Sequence, residues 1–439
     1  MQTASKKVIN GWAMYDWANS VYNLVITTTF FPVMFNLVTG PDSKFNSEIP
    51  FLGRTFVNTS LKNYTLSFAY LIIVILFPIL SSIADLKGNK KNMMRFFCYL
   101  GSVSCALLFF FDENHITLGL VCMALAAIGF YGSLVFYNSY LPEIAAPEDM
   151  DRISAKGFTM GYIGSVILQL VGFGLVVMMP DSYRPLQLTF LMVGIWWIGW
   201  AQIPFARLPK SQPIIDNTKN ILTNGFFELR KVFRQLMTMP VLRIFLLAFF
   251  FYNMGVQTIM LAASDYGSKV LNLDSSTLII TIVIIQLVAI PGAIFISRMA
   301  TRFGNLKVLF FTVALWVCVC IYGYYMTTKW DFFLLAVAVG LVMGGIQSVS
   351  RSTYSKLMPQ TKDTASFFSF YDITEKVAIV IGLFVFAYIE EQTVGTGGMR
   401  NSVLAVLCFF IVGAVTLLLA IRKERSENKN SQSDEPLLN

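Results

Sequence analysis

Five polar residues, Asp16, Asn19, Ser20, Asn23 and Thr27, lie at spacings of three, four, seven and eleven in the otherwise apolar stretch "YDWANSVYNLVITT". On a helix those spacings put all five on one face. A carboxylate flanked by amides and hydroxyls on an apolar helix is the chemistry of a wet cavity wall, where charge and hydrogen bonds handle a polar solute or a proton. The bland alternative is that Asp16 pins the end of its helix. A second cluster, "SFYDITEKVAIV", holds Asp372, Glu375 and Lys376. Asp372 and Lys376 are four apart and expected to pair on one face, with Glu375 pointing elsewhere. The other reading has Lys376 reaching Asp16 in one state and releasing it in another.

Further polar residues fall in apolar runs: Asn253, Gln257 and Ser264; Gln347, Ser350, Arg351 and Tyr354; Tyr162, Ser165 and Gln169; and Gln286. Their donors and acceptors suit a zwitterion, whose carboxylate and ammonium need hydrogen bonds more than bulk charge. Any one of them can equally stitch two helices together, for about 0.6 kcal/mol.

These residues need membrane helices to position them. The 439 residues are 56% hydrophobic and only 13% charged, with a mean hydropathy of +0.63, whereas soluble chains are roughly a quarter charged. A spanning helix needs about 20 apolar residues, because only a helix or closed barrel satisfies its own backbone in hydrocarbon. Runs of that kind lie near 11–38, 64–84, 92–111, 116–138, 155–178, 186–205, 241–263, 276–298, 306–326, 331–352, 365–390 and 400–421. None shows the period of two that marks a barrel strand. The fold class predicted is therefore an all-α multi-pass membrane protein with twelve spans.

Placing the amino terminus inside leaves 25 of the 33 Lys and Arg residues on the inner side and seven outside, so both termini are expected to be cytoplasmic. The net charge of +8 then faces anionic head groups and gives no reason to expect a nucleic-acid partner. No cleavable signal is expected, since residues 1–10 are polar and the first run is too long. The six cysteines all fall in apolar runs and read as small hydrophobes.

The chain divides into a six-span bundle (1–205), a linker (206–240) whose second part "GFFELRKVFRQLM" suits an amphipathic surface helix, a second bundle (241–421) and a polar, disordered tail (422–439). The halves repeat. "SSIADLKGNKK" aligns with "SRMATRFGNLK", pairing Gly88 with Gly304 at an offset of 216, and Pro142 pairs with Pro359 at 217. A parallel repeat of six helices is the pattern of carriers whose two bundles rock about a central site.

"DLKGNKK" resembles the loop between helices 2 and 3 of the major facilitator superfamily, with Asp85, Gly88, Lys90 and Lys91 in place and Ser81 standing for the usual leading glycine. "GWAMYDWANSVYN", "YNSYLPEIA", "YNMGVQTI", "GGIQSVSRS" and "FFSFYDITEKVAIVIG" are similar to the vacuole effluxer family within it, over nearly all of residues 8–421. Met254 stands where that family often has an acid. The resemblance implies the major facilitator fold in two pseudo-symmetric bundles, and a secondary transporter of small solutes such as amino acids. It also marks Asp85, Lys90 and Lys91 as gating residues. Asp85 would sit near the start of the eleventh helix, where an anion is favoured by a few tenths to 1 kcal/mol; the plain alternative is a positive-inside loop.

The candidate solute residues are thus Asp16, Asn19, Asn23, Thr27, Tyr162, Gln169, Asn253, Gln257, Gln286, Gln347 and Arg351. The gating or coupling set is Asp16, Asp85, Lys90, Lys91, Asp372, Glu375 and Lys376. Protons or sodium are the candidate coupling ions. No metal or cofactor is expected, and a monomer in a bacterial plasma membrane is. A lipid-like solute and a passive channel are the rival functions. An embedded enzyme lacks support: with one histidine there is no HExxH site, and no phosphate-binding GxxxxGK loop occurs.

Overall fold

The computed structural model describes residues 2–41, 43–179, 182–211, 221–273, 275–393 and 398–433. Its long helices are α1 (Lys6–Thr39), α2 (Asn58–Lys87), α3 (Lys90–Leu107), α4 (Ile116–Ser139), α5 (Met150–Met178) and α6 (Arg184–Trp200). The second set is α7 (Pro240–Leu271), α8 (Ser275–Phe303), α9 (Asn305–Tyr325), α10 (Lys329–Leu357), α11 (Thr364–Gln392) and α12 (Met399–Ser433). Among the described residues, eleven helices are long and apolar enough to cross a membrane. The twelfth long helix, α11, spans 29 residues and is the one interrupted by Asp372, Glu375 and Lys376.

Two compact units form. The first holds Met1–Ile144, Lys156–Phe226 and Lys362–Ser369; the second holds Ala145–Ala155, Phe227–Thr361 and Phe370–Asn439. Inside the first, α1 packs on α6, α2 on α4, α3 on α4 and α3 on α6. Inside the second the same four pairings recur shifted by six helices: α7 on α12, α8 on α10, α9 on α10 and α9 on α12. The repeat read from two loops is therefore a repeat of packing. Gly88 and Gly304, the aligned glycines, both take positive φ (63° and 93°), which lets each chain reverse within two residues of a helix end.

Close helix approach depends on missing side chains, as it must where lipid supplies no hydrophobic drive. A Cβ added at Gly129 of α4 would lie 2.4 Å from the Gly101 backbone of α3, and one at Gly344 of α10 would lie 2.5 Å from the Ala289 carbonyl of α8.

Three features depart from the sequence reading. First, α1 is not α-helical throughout: Tyr22–Phe30 is a π-helix. Pro32 just beyond cannot donate a backbone hydrogen bond, and Thr27 and Thr29 turn their hydroxyls back to the carbonyls five residues earlier, Tyr22 (3.5 Å) and Leu24 (3.1 Å). The α spacing that put Thr27 on the Asp16 face does not hold past Val21. Second, the α1–α2 connection contains a hairpin, Glu48–Phe51 against Arg54–Val57, closed by Leu52 and Gly53 at positive φ. Third, α12 runs on to Ser433 through the polar tail, with Lys423 and Glu427 paired at 3.7 Å one turn apart. The linker helix is Ile221–Met237, burying Val232 and Leu236 and leaving Phe227 and Phe233 exposed. The linker's middle, 212–220, lies outside the described residues, as does the side chain of Ser264.

Replacing Gly129 with Leu should lower stability by about 1–3 kcal/mol through overpacking, read as a fall in the melting temperature in detergent. Gly174→Leu, at a site with nothing within 4 Å of its Cβ, should leave it unchanged.

Candidate functional site

Asp16 is buried on α1, and its Oδ2 accepts a hydrogen bond from the Tyr137 hydroxyl at 2.7 Å. Tyr137 is fixed in turn: its ring stacks on Trp12 at 4.5 Å, and the Trp12 indole donates to its carbonyl at 3.0 Å. The sequence does not single out Tyr137, which lies 121 residues away in an aromatic-rich run. Gly161 lets α5 approach closely here, since a Cβ there would stand 3.2 Å from the Asp16 carbonyl, and Tyr162 beside it is buried within reach of the Asp16 charge.

The other first-unit candidates separate into used and unused groups. Gln169 donates to Thr29 at 3.3 Å, so it ties α5 to the π segment. Thr27 is turned back on its own backbone, and Asn23 is half-buried. Asn19 is fully buried with neither its oxygen nor its nitrogen hydrogen-bonded in the protein.

In the second unit, Lys376 is buried and pairs with the adjacent Glu375 at 2.6 Å. The expectation that Glu375 would point elsewhere is corrected here. Its carboxylate swings toward the ammonium and also accepts from Gln257 of α7 at 3.1 Å, so α7 and α11 are joined by amide, acid and base. Asp372, one turn earlier on α11, is buried within reach of the Lys376 charge, and its Oδ2 has no hydrogen-bond partner. Asn253 of α7 is buried, and its Nδ2 is likewise unpartnered, with Gln257 only 3.5 Å from its oxygen. Gln286 is buried in α8 and Gln347 half-buried in α10. Arg351 is committed elsewhere: it donates from Nε to the Ser154 hydroxyl at 3.0 Å and from a terminal nitrogen to the Ser154 carbonyl at 2.8 Å.

Two of the three gating candidates around the α2–α3 connection, Asp85 and Lys90, form a closed network inside the first unit. Asp85 accepts from the backbone amides of Ala365 (3.2 Å) and Ser366 (2.7 Å) and from the Ser366 hydroxyl (2.8 Å). It thereby caps the opening turn of α11, where helix amides lack partners of their own. Lys90, almost wholly buried, lies 3.0 Å from Asp85 and 2.5 Å from Glu143, and donates to the Thr364 hydroxyl at 2.5 Å. Lys91 does not join; it donates to the carbonyls of Phe205 and Leu208, just beyond α6.

The second unit has a counterpart that the sequence reading missed. Asp151, fully buried at the start of α5, accepts from Lys356 (2.6 Å), Asn305 (2.6 Å), Ser352 (2.6 Å) and Thr301 (3.4 Å). At the 216-residue offset Thr301 takes the place of Asp85, so the acid has moved from the loop copy to the crossing helix. A missing acid in the second copy was the signal available.

A model of the vacuole effluxer Atg22-like family matches residues 4–431. The chain belongs to that family. It is 33% identical to an uncharacterized MFS-type transporter, YxiO, of Bacillus subtilis, over 98% of each chain. It is 26% identical to autophagy-related protein 22 of Saccharomyces cerevisiae, over 88% of this chain and 86% of that one. Among solved structures, the major facilitator transporter FucP superposes with a TM-score of 0.69 at 15% identity, covering 94% of this chain and 97% of that one. The fold is that of the major facilitator superfamily, and the protein is an integral membrane protein.

Removing one partner of a buried ion pair strands the other. Asp151→Ala should therefore cost about 3 kcal/mol or more, measured by denaturant melts in detergent, and Asp151→Ala combined with Lys356→Met should recover most of that loss.

Proposed function

We propose that this member of the family moves a small polar solute, an amino acid or similar zwitterion, across the membrane by alternating access. The coarse half of that statement, a major facilitator-type transporter, follows from family and fold. The solute class rests on one observation: buried polar atoms on α7 and α11 have no partner in the protein. Leaving a buried donor or acceptor unmatched costs about 1–3 kcal/mol, a cost with a use only if something else binds there. Asp372 Oδ2 offers an acceptor to an ammonium, and Asn253 Nδ2 offers a donor to a carboxylate. Gln257, bonded to Glu375, ties the two helices that carry them.

Proton coupling is the proposed drive. Asp16 and Asp372 are carboxylates at membrane depth, and taking up a proton would remove a costly charge there. In cells the chain would lie in the plasma membrane of a bacterium with its Lys- and Arg-rich connections inside.

Counterflow in liposomes with labelled amino acids, dipeptides and sugars tests this. Wild type should exchange a zwitterion with saturable kinetics, and Asp372→Asn and Lys376→Met should each exchange it at least about tenfold more slowly, a loss of about 1.4 kcal/mol in transition-state stabilisation, with Asp372→Asn keeping the wild-type melting temperature and Lys376→Met, which strands Glu375, lowering it. Wild-type rates in both variants would reject the assignment of those residues, exchange of sugars alone would reject the solute class, and non-saturating flux would make the protein a channel.

A further inference from the structure

The first unit carries an apolar groove of about 590 Å³ whose lining includes Leu168 of α5, Trp196, Gly199 and Trp200 at the end of α6, and Ile203 of the short helix Gln202–Arg207 that follows. It is independent of the solute residues. Trp17 of α1 packs against two of its walls, 5.2 Å from the Trp196 ring and edge-on to Trp200 at 5.8 Å, and the Trp196 indole donates to the Trp17 carbonyl at 3.0 Å. The Trp17 indole nitrogen is buried without a partner. Beside Gly199 the space is empty: a Cβ there would meet nothing within 4 Å.

The stripe that lines the groove does not stop at Ile203. Trp196, Trp200, Ile203 and Arg207 follow one another at four, three and four residues, so that across the turn at Ala201 Arg207 is next in line after Ile203, the last lining residue. The Arg207 stem lies across Gly11 of α1. Close by, the Arg95 guanidinium sits 5.3 Å over the Phe205 ring with its Nε buried and unpartnered, and Lys91 is near enough to Arg95 and Lys210 to be repelled by both. Among the described residues no carboxylate pairs with Lys91, Arg95, Arg207 or Lys210.

We infer that this groove binds one anionic phospholipid, with an acyl chain against the tryptophans and the phosphate at Arg207, drawn by the charges of Arg95, Lys91 and Lys210 at the same helix end. An uncharged lipid would satisfy the apolar length alone. Four clustered cations without a counter-ion are what select a negative head group, and basic pockets between membrane helices bind such groups. Arginine suits the phosphate because its fork donates two parallel hydrogen bonds. Lys91 is already turned to backbone carbonyls and contributes charge rather than contact.

The test uses the full chain in vesicles, with tryptophan quenching by brominated-acyl phosphatidylglycerol or brominated-acyl phosphatidylcholine. Half-maximal quenching should come at an about tenfold lower mole fraction of the anionic lipid. Arg95→Gln with Arg207→Gln should erase that difference. Gly199→Leu, which fills the groove from a position with free space, should weaken quenching by both lipids without changing the melting temperature. Equal curves for the two lipids in wild type would overturn the proposal, as would a preference that survives Gly199→Leu unchanged. Loss of the preference in millimolar inorganic phosphate, with total lipid contact unaltered, would reduce the site to one for free anions and overturn it too. Should the double arginine variant fail to fold, the Gly199→Leu curve alone decides.

Discussion

Hydrocarbon gives a polar atom nothing to bond to, and that constraint orders this molecule from its turns to its charges. Helix interiors satisfy their own backbone; helix ends and side chains must find partners inside the protein. The opening amides of α11 find Asp85, the Asp16 carboxylate finds Tyr137, and Asp151 collects four donors from α8, α9 and α10. Among the buried polar atoms left without a partner, those of Asn19, Asn253 and Asp372 are the ones on which the proposed function rests.

The two buried acid clusters are unequal copies of one device. In the first unit the acid sits on the loop copy, as Asp85 with Glu143, and holds the start of α11 through Lys90, Thr364 and Ser366. In the second the loop copy has Thr301 and Asn305, and the acid is Asp151 on α5, held by Lys356. Each cluster lies inside one unit and sets a lysine against its buried acid, Lys90 against Asp85 and Lys356 against Asp151. That pairing is what makes such burial tolerable, since a stranded buried ion costs several kcal/mol.

Much of this was legible in the sequence. Apolar length gave the spans, two glycines and two prolines gave the repeat, and the position of Asp85 gave its place near α11. The rest needed contacts that spacing does not encode. Tyr137 lies 121 residues from Asp16, and Asp151 gathers partners 150 or more residues away. The rule that residues four apart pair on a helix pointed Lys376 at Asp372, but burial let the neighbouring Glu375 curl onto it instead. The π segment was hidden because its residues continue the same apolar run, and periodicity cannot see that Thr27 and Thr29 bond to carbonyls five residues back. The hairpin at 48–57 turns on Leu52–Gly53 rather than an asparagine–glycine pair, so its usual signal was missing.

The central claim is that the unsatisfied amides on α1 and α7 face water rather than lipid or packed protein. Cysteine placed at Asn19 or Asn253, reacted with a charged, membrane-impermeant methanethiosulfonate and read over the background of the native thiols, tests it most directly. Both positions should react much faster than cysteine at Phe311, which is exposed on the outside of α9. Rates no higher than that control would contradict the account.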